Sequence, residues 1–287
     1  MPTRRHNHER VRPGRSAGPL LTRSLQVNTI ARRAAAALAL IGTGLAAAAC
    51  SSGAEDDDTL TVCTNVPFVP FEYQEDGEYV GFDIALMNLL ADRLDQTVEV
   101  VEIDFDSIGS GSALNAGTCD IAAAGISITE ERQEAMGMSQ AYYRADQALV
   151  VPAGAEAASL DDLSGLQVAV QSGTTGESYA NDNAEAYGFE VVSFETMGDI
   201  ASALSAGTVD ASIADLATWS SMVETDTGLT LVETIETEEH YGFAVQKDDT
   251  DLLGDVNAML DEAFEDGTYA ELYEQWIGET YTGNAAE

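Results

Sequence analysis

One nine-residue text occurs twice in this chain. Residues 112–120 read SALNAGTCD and residues 202–210 read SALSAGTVD, alike at seven of nine positions. Each copy reads as a helix end, a glycine at the helix C-terminus and the entry to a strand, glycine being the residue that takes the left-handed stop at least cost. A unit written twice, about ninety residues apart, predicts two lobes of one design.

The text around both copies alternates strand and helix. Strands are predicted at 60–64, 98–102, 120–124, 167–171, 190–194 and 211–214, with an extended stretch at 146–152. Helices are predicted at 82–94, 108–116, 177–187, 199–206 and 216–224, and two more at 252–265 and 269–277, parted at Gly267. Such alternation makes an α/β fold with mostly parallel sheets. If the lobes are alike, the C-terminal ends of their strands face each other across a cleft, which is where open α/β sheets take ligands. The strands after the two repeats end at Gly125 and Asp215, so both residues are expected at the cleft border.

Length and charge narrow the function. A chain of 287 residues, 45% of them hydrophobic, can fill two cores. From Cys50 onward forty-nine acids face four cations, Arg93, Arg132, Arg144 and Lys247. So negative a field repels nucleic acid and anionic lipid and suits solubility at high external salt. It favours cations and zwitterions over anions near the surface.

Residues 1–49 read as a targeting segment. An Arg-rich stretch from Arg4 to Arg33 precedes the apolar run Ala34–Ala49, too short for a spanning helix and suited to a signal peptide. Ala47-Ala48-Ala49-Cys50 resembles a lipobox, with Ala47 where leucine is usual, so Cys50 is expected to carry lipid and anchor the protein to the membrane from outside. An ordinary secretory peptide cut before Cys50 is the alternative. Residues 50–58 then form a flexible acidic tether.

Few side chains stand out for chemistry. Arg132 follows the expected N-cap Thr129, in a first helical turn where the dipole favours acids. It is either a bidentate grip for a carboxylate or a surface ion pair. Ser172-Gly173-Thr174-Thr175-Gly176 joins a strand to a helix, where free backbone N–H groups bind anions, but it has no lysine to complete a phosphate loop. Asp215 is either a helix N-cap or, opposite Arg132, the second charge that an α-amino acid requires. Phe68 and Phe105 follow strands and are candidates for core or cleft lining. His240 is the one histidine after the targeting segment, so neither a Ser–His–Asp triad nor a histidine-built zinc site is expected. No catalytic residue, metal or cofactor is expected.

Eight segments, in order over 59–278, carry a family resemblance: VCTNVPFVPFEY (62–73), GEYVGFDIALMNLLADRL (77–94), GTCDIAAAGISITEERQEAM (117–136), SQAYYRADQALVV (139–151), VAVQSGTTGESYA (168–180), VDASIAD (209–215), YGFAV (241–245) and DGTYAELYEQWIG (266–278). With them the chain resembles family 3 of the bacterial extracellular solute-binding proteins, the amino-acid receptors of ABC importers, and most of all their glutamine receptors. The resemblance implies a two-lobed periplasmic-binding-protein-like fold with two hinge crossings. Lobe 1 is then 59–147 with 245–287, lobe 2 is 152–240, and the hinge strands are 148–151 and 241–244. It implies a monomer that closes on a free amino acid, neutral or polar, and presents the closed form to permease subunits.

By the same resemblance Arg132 binds the ligand's α-carboxylate and Asp215 its α-ammonium. Ser127 and Gly125 bind from the first lobe, Thr175 adds a backbone N–H, and Phe68 and Phe105 are walls. Asn65 stands where many members carry Asp, Gln171 where glutamine receptors carry Lys, and Ala214 where they carry His, which argues against a basic ligand and against glutamine itself. Alternatives on the same scaffold are a compatible-solute (ectoine-like) receptor and a cyclohexadienyl dehydratase-like lyase. In this alignment Cys63 and Cys119 lie on neighbouring strands but three positions out of level, about 10 Å, so buried free thiols are expected.

Overall fold

The computed structural model describes residues 58–283 except Thr227. The targeting segment, most of the tether and Cys50 lie outside the described residues.

The chain builds two five-stranded sheets of one design. In the first sheet the strands are β1 (Thr59–Thr64), β4 (Thr97–Glu102), β5 (Ile121–Ala122), β6 (Gly137–Met138) and, returning from after the second sheet, β12 (Ala244–Val245), with a small hairpin of β2 (Tyr73–Glu75) and β3 (Glu78–Val80) beside them. The second sheet uses β7 (Tyr143–Pro152), β8 (Gln167–Gln171), β9 (Glu190–Phe194), β10 (Ala211–Asp215) and β11 (Leu229–Tyr241). The orders are β4-β1-β5-β12-β6 and β9-β8-β10-β7-β11. In both, three parallel strands come first, the fourth is antiparallel to them, and the fifth is antiparallel to the fourth. Four of every five strands therefore run one way, as the sequence predicted. Residues 148–151 lie inside β7, paired with β10 and β11.

The repeat makes the likeness atomic. In the first copy Thr118 N–H returns to the Ala113 carbonyl at 3.0 Å, and in the second Thr208 N–H returns to Ala203 at 3.0 Å. The aspartate closing each copy then accepts the N–H of the neighbouring parallel strand, Asp120 from Thr61 and Asp210 from Gln167, both at 2.8 Å. These side chains hold β5 against β1 and β10 against β8.

Both faces of each sheet are covered, and successive strand residues enter different cores, as a two-residue period demands. Leu60 and Val62 pack with the helix α1 (Phe82–Leu94) and with α8 (Thr250–Asp266), whereas Cys63 faces Ile108, Leu114 and Ile126. In the second sheet Val168 and Val170 face away from Ala169 in the same manner.

Three expectations change. The predicted helix 108–116 is two short helices, α2 (Phe105–Gly109) and α3 (Ser112–Asn115). Asp104 caps α2 early, accepting Ser107 N–H at 2.8 Å, and Gly111 at φ 74° ends its course. Strand β11, thirteen residues long, was not predicted. Its register shifts twice against β7, so its apolar residues never alternate cleanly. Finally, Cys63 and Cys119 are not free thiols: they form a disulfide with Cα atoms 5.7 Å apart. The offset of 10 Å assumed that Cys119 continues the line of β5. The strand begins only at Ile121, and Cys119 sits in the preceding turn, which Asp120 folds back onto Thr61.

Candidate functional site

The matching strands of the two sheets end at one cavity. Asn65 follows β1 and Gln171 ends β8; Gly125 and Ser127 follow β5, and Asp215 ends β10. Phe68, Phe105, Arg132 and Thr175 complete the set of nine residues named from sequence, and Ala124 and Thr174 line it as well. The free space enclosed is about 10 Å³, room for roughly one water. Anything larger than a water enters this space only if the walls part.

Arg132 sits on the short helix α4 (Glu130–Ala135), whose N-cap Thr129 accepts its N–H at 3.1 Å. Its side chain is buried, at 6% exposure. Nη1 donates to the Ser127 carbonyl at 2.9 Å and Nη2 reaches the Gly173 carbonyl at 3.1 Å, across the cleft. The guanidinium lies 5.3 Å from the Phe105 ring centre, in cation–π contact. Among the described residues no acid forms an ion pair with it, which removes the surface-pair alternative.

Asp215 begins α7 (Leu216–Thr225) but its side chain caps nothing there. It is buried at 8% exposure and accepts from Gln147 Nε2 at 2.5 Å. Burial pushes its carboxyl up to about 7, with Glu239 adding to the rise; Gln147 and Arg132 oppose it. A buried acid at the end of β10 and a buried guanidinium on α4 thus line one cavity.

The walls are held by close backbone approaches. At Gly125 a Cβ atom would lie 2.4 Å from the Phe68 ring, and φ is +54°. At Gly173 it would lie 2.7 Å from the Asp106 Cα, at φ +75°. Behind Gly125, Asp83 accepts its N–H at 3.1 Å and the Tyr142 hydroxyl at 2.7 and 2.8 Å. At the far end Gln171 Nε2 donates to Asn65 Oδ1 at 2.8 Å, an amide bridge between the two sheets. Thr174 caps α5 (Thr175–Tyr187), accepting Glu177 N–H at 3.0 Å, which leaves Thr175 in the helix's first turn.

Two polar residues that contact the site residues were missed in the sequence. Gln147 is buried within β7 among Ala and Val, and Glu239 comes from β11. The Glu239 carboxylate accepts from Ser127 Oγ and Thr175 Oγ1, each at 2.6 Å, and from Gln147 Nε2 at 3.2 Å. A buried polar residue in an apolar strand was the one clue available for Gln147.

The raised carboxyl of Asp215 predicts pH-dependent binding. Were Asp215 to pair with a ligand ammonium, the ionised acid would be favoured and binding below pH 7 would release a proton. Affinity is expected to be level above pH 7 and to fall by up to about tenfold per pH unit below it. Calorimetry between pH 8 and pH 5 measures this. Linkage works the other way for the free fold: an acid whose folded pKa lies above its unfolded value opposes folding once ionised. Asp215→Asn should therefore raise Tm by several degrees at pH 8 while removing ligand response, and a lowered Tm would contradict it.

Comparison with known proteins agrees with this architecture. The sequence profile of bacterial extracellular solute-binding proteins, family 3, matches residues 60–279. A probable histidine-binding protein of Neisseria gonorrhoeae is 31% identical over 259 residues, 84% of this chain and 94% of that one. The solved structure of an ancestral arginine-binding protein bound to arginine superposes with a TM-score of 0.73 at 37% identity, covering 77% of this chain and 99% of that one. An ancestral arginine-binding protein bound to glutamine gives 0.73 at 39% identity, with the same two coverages.

Proposed function

The chain belongs to the bacterial extracellular solute-binding proteins, family 3, and from that membership we propose an extracytoplasmic receptor of an ABC importer that closes on one free amino acid, neutral or polar in its side chain. The carrying observation is that Arg132 on α4 and Asp215 at the end of β10, one buried cation and one buried acid, line the same cavity. A zwitterion offsets the desolvation of both at once. The family is one of binding proteins rather than enzymes, as its relatives' names also state.

The far end of the cavity supports a neutral or polar side chain. There Asn65 and Gln171 offer two neutral amides and no ionised group, which suits a polar or neutral side chain. Thermal shift of the purified protein with each of the twenty amino acids and ectoine tests the reading. One ligand, or a small related set, should raise Tm in a saturable way, by about 2.7 kcal/mol of stabilisation at a hundredfold excess over Kd. A folded protein free of co-purified ligand that responds to no amino acid refutes it; a response to ectoine alone moves the ligand to compatible solutes.

Closure supports transport. Lobe 1 (59–147 and 245–287) and lobe 2 (152–240) would part to admit ligand, and the closed form would engage the permease as a monomer. The disulfide fits an oxidising compartment outside the cytoplasm. Cys50 would then carry the lipid anchor. Cys50→Ser is expected to move most of the protein from the detergent phase to the medium, and unchanged membrane retention would refute the anchor.

A further inference from the structure

The sequence singled out no role for Glu239, yet β11 is distorted where it delivers this residue. Against β7 the register jumps between Ile235, opposite Gln147, and Glu239, opposite Ala145. Within the bulge Glu238 takes a left-handed φ of 52°, unusual for a non-glycine residue. Asp146 Oδ1 holds the bulge, accepting Thr237 N–H at 3.0 Å and Glu238 N–H at 3.1 Å. Bulges of this kind re-aim a side chain, and here the re-aimed one meets two residues that line the cavity, Ser127 and Thr175.

Its contacts are specific. One carboxylate oxygen accepts from Ser127 Oγ after β5 and from Thr175 Oγ1 at the start of α5, each at 2.6 Å. The other accepts from Gln147 Nε2 at 3.2 Å, and the same nitrogen donates to Asp215 Oδ1 at 2.5 Å. One amide nitrogen thus bridges two carboxylates. Arg132 is the one cationic side chain among the described residues lining the cavity, so the two acids leave an excess negative charge beside Gln147.

We propose that Glu239 is a specificity-determining residue: with Asp215 it forms the subsite that takes the ligand's ammonium group, and it sets the demand for a protonated amine. This rests on the amino-acid reading above. The ammonium has three donors, and two carboxylates with the Ser127 and Thr175 hydroxyls supply acceptors around it. The rise that Glu239 contributes to the Asp215 carboxyl is consistent with their closeness.

Glu239→Gln separates charge from structure. Glutamine keeps an oxygen that accepts from Ser127 and Thr175 but removes the negative charge. The amino acid found by the screen should bind Glu239→Gln at least about tenfold more weakly, with the ligand-free Tm little changed, and Glu239→Asp should recover part of the loss. Glu239→Gln binding within about twofold of wild type overturns the proposal and leaves the amino-acid reading standing. Wild-type protein that binds no amino acid removes that reading first. Should Glu239→Gln not fold, a crystal structure of the wild type with that amino acid decides. A Glu239 oxygen at hydrogen-bond distance from the ligand nitrogen supports the proposal, and a carboxylate turned away from it overturns it.

Discussion

Arg132→Ala is expected to weaken amino-acid binding by roughly two to three orders of magnitude, as loss of one partner of a buried, hydrogen-bonded charge pair does. The guanidinium is positioned by backbone from both sides of the cleft, the Ser127 carbonyl at 2.9 Å and the Gly173 carbonyl at 3.1 Å. Its stem is fixed by a capped helix and its guanidinium carbon lies 5.3 Å from the Phe105 ring centre. Lys247 steadies the other end of that helix, its Nζ donating to the Gln133 carbonyl and lying 3.4 Å from that of Met136. Little remains to be ordered when a carboxylate arrives, and alanine leaves it with no buried cation to meet. Arg132→Lys should fall between, because an ammonium keeps the charge but not the planar fork. Titration calorimetry of the three proteins measures the series. An alanine variant with near wild-type affinity would remove Arg132 from the site.

Reduction of Cys63–Cys119, or replacement of both by alanine, is expected to cost about 4 kcal/mol of stability by chain entropy, since the bond closes a loop with a sequence separation of 56. That loop holds α1, β4, α2 and α3, much of the structure around the first sheet. For a domain of this size the loss lowers Tm by roughly 10 °C. Alanine is the informative replacement, because both sulfurs are buried against Ile108 and Leu114, where a serine hydroxyl would lack a partner. Mass mapping of unreduced protein checks the premise. A melting curve indifferent to reductant, with both thiols alkylated before reduction, would refute it.

The disulfide also shows where reading the sequence runs out. Counting strand positions located Cys63 well, because a strand has a fixed rise. The same count failed at Cys119, which lies in a turn whose course depends on Asp120 meeting Thr61, a contact fifty-nine residues distant. The repeat was legible because each copy carries its own helix stop and strand entry, so two matching sheets followed from local text. Arg132 was legible for a related reason: a cation in an acidic chain, placed where the helix dipole disfavours it. Asp215 was half legible. Its position looked like that of an N-cap, and only burial beside Gln147 shows that it caps nothing. Glu239 was not legible at all. It is one of several acids in a charged strand, and its contact with the cavity-lining Ser127 and Thr175 is set by a bulge that Asp146 holds from the neighbouring strand.

The central claim is that one ligand presents a carboxylate to Arg132 and an ammonium to Asp215. Calorimetric titration of wild-type protein at pH 8 with the amino acid found by the screen, its α-carboxamide and its 2-oxo acid tests both contacts directly. The account predicts one-to-one binding of the parent and at least about a hundredfold weaker binding of each analogue, since each leaves one buried charge without its partner. Either analogue binding within about threefold of the parent would contradict it, because the charge removed would then have no counterpart in the site.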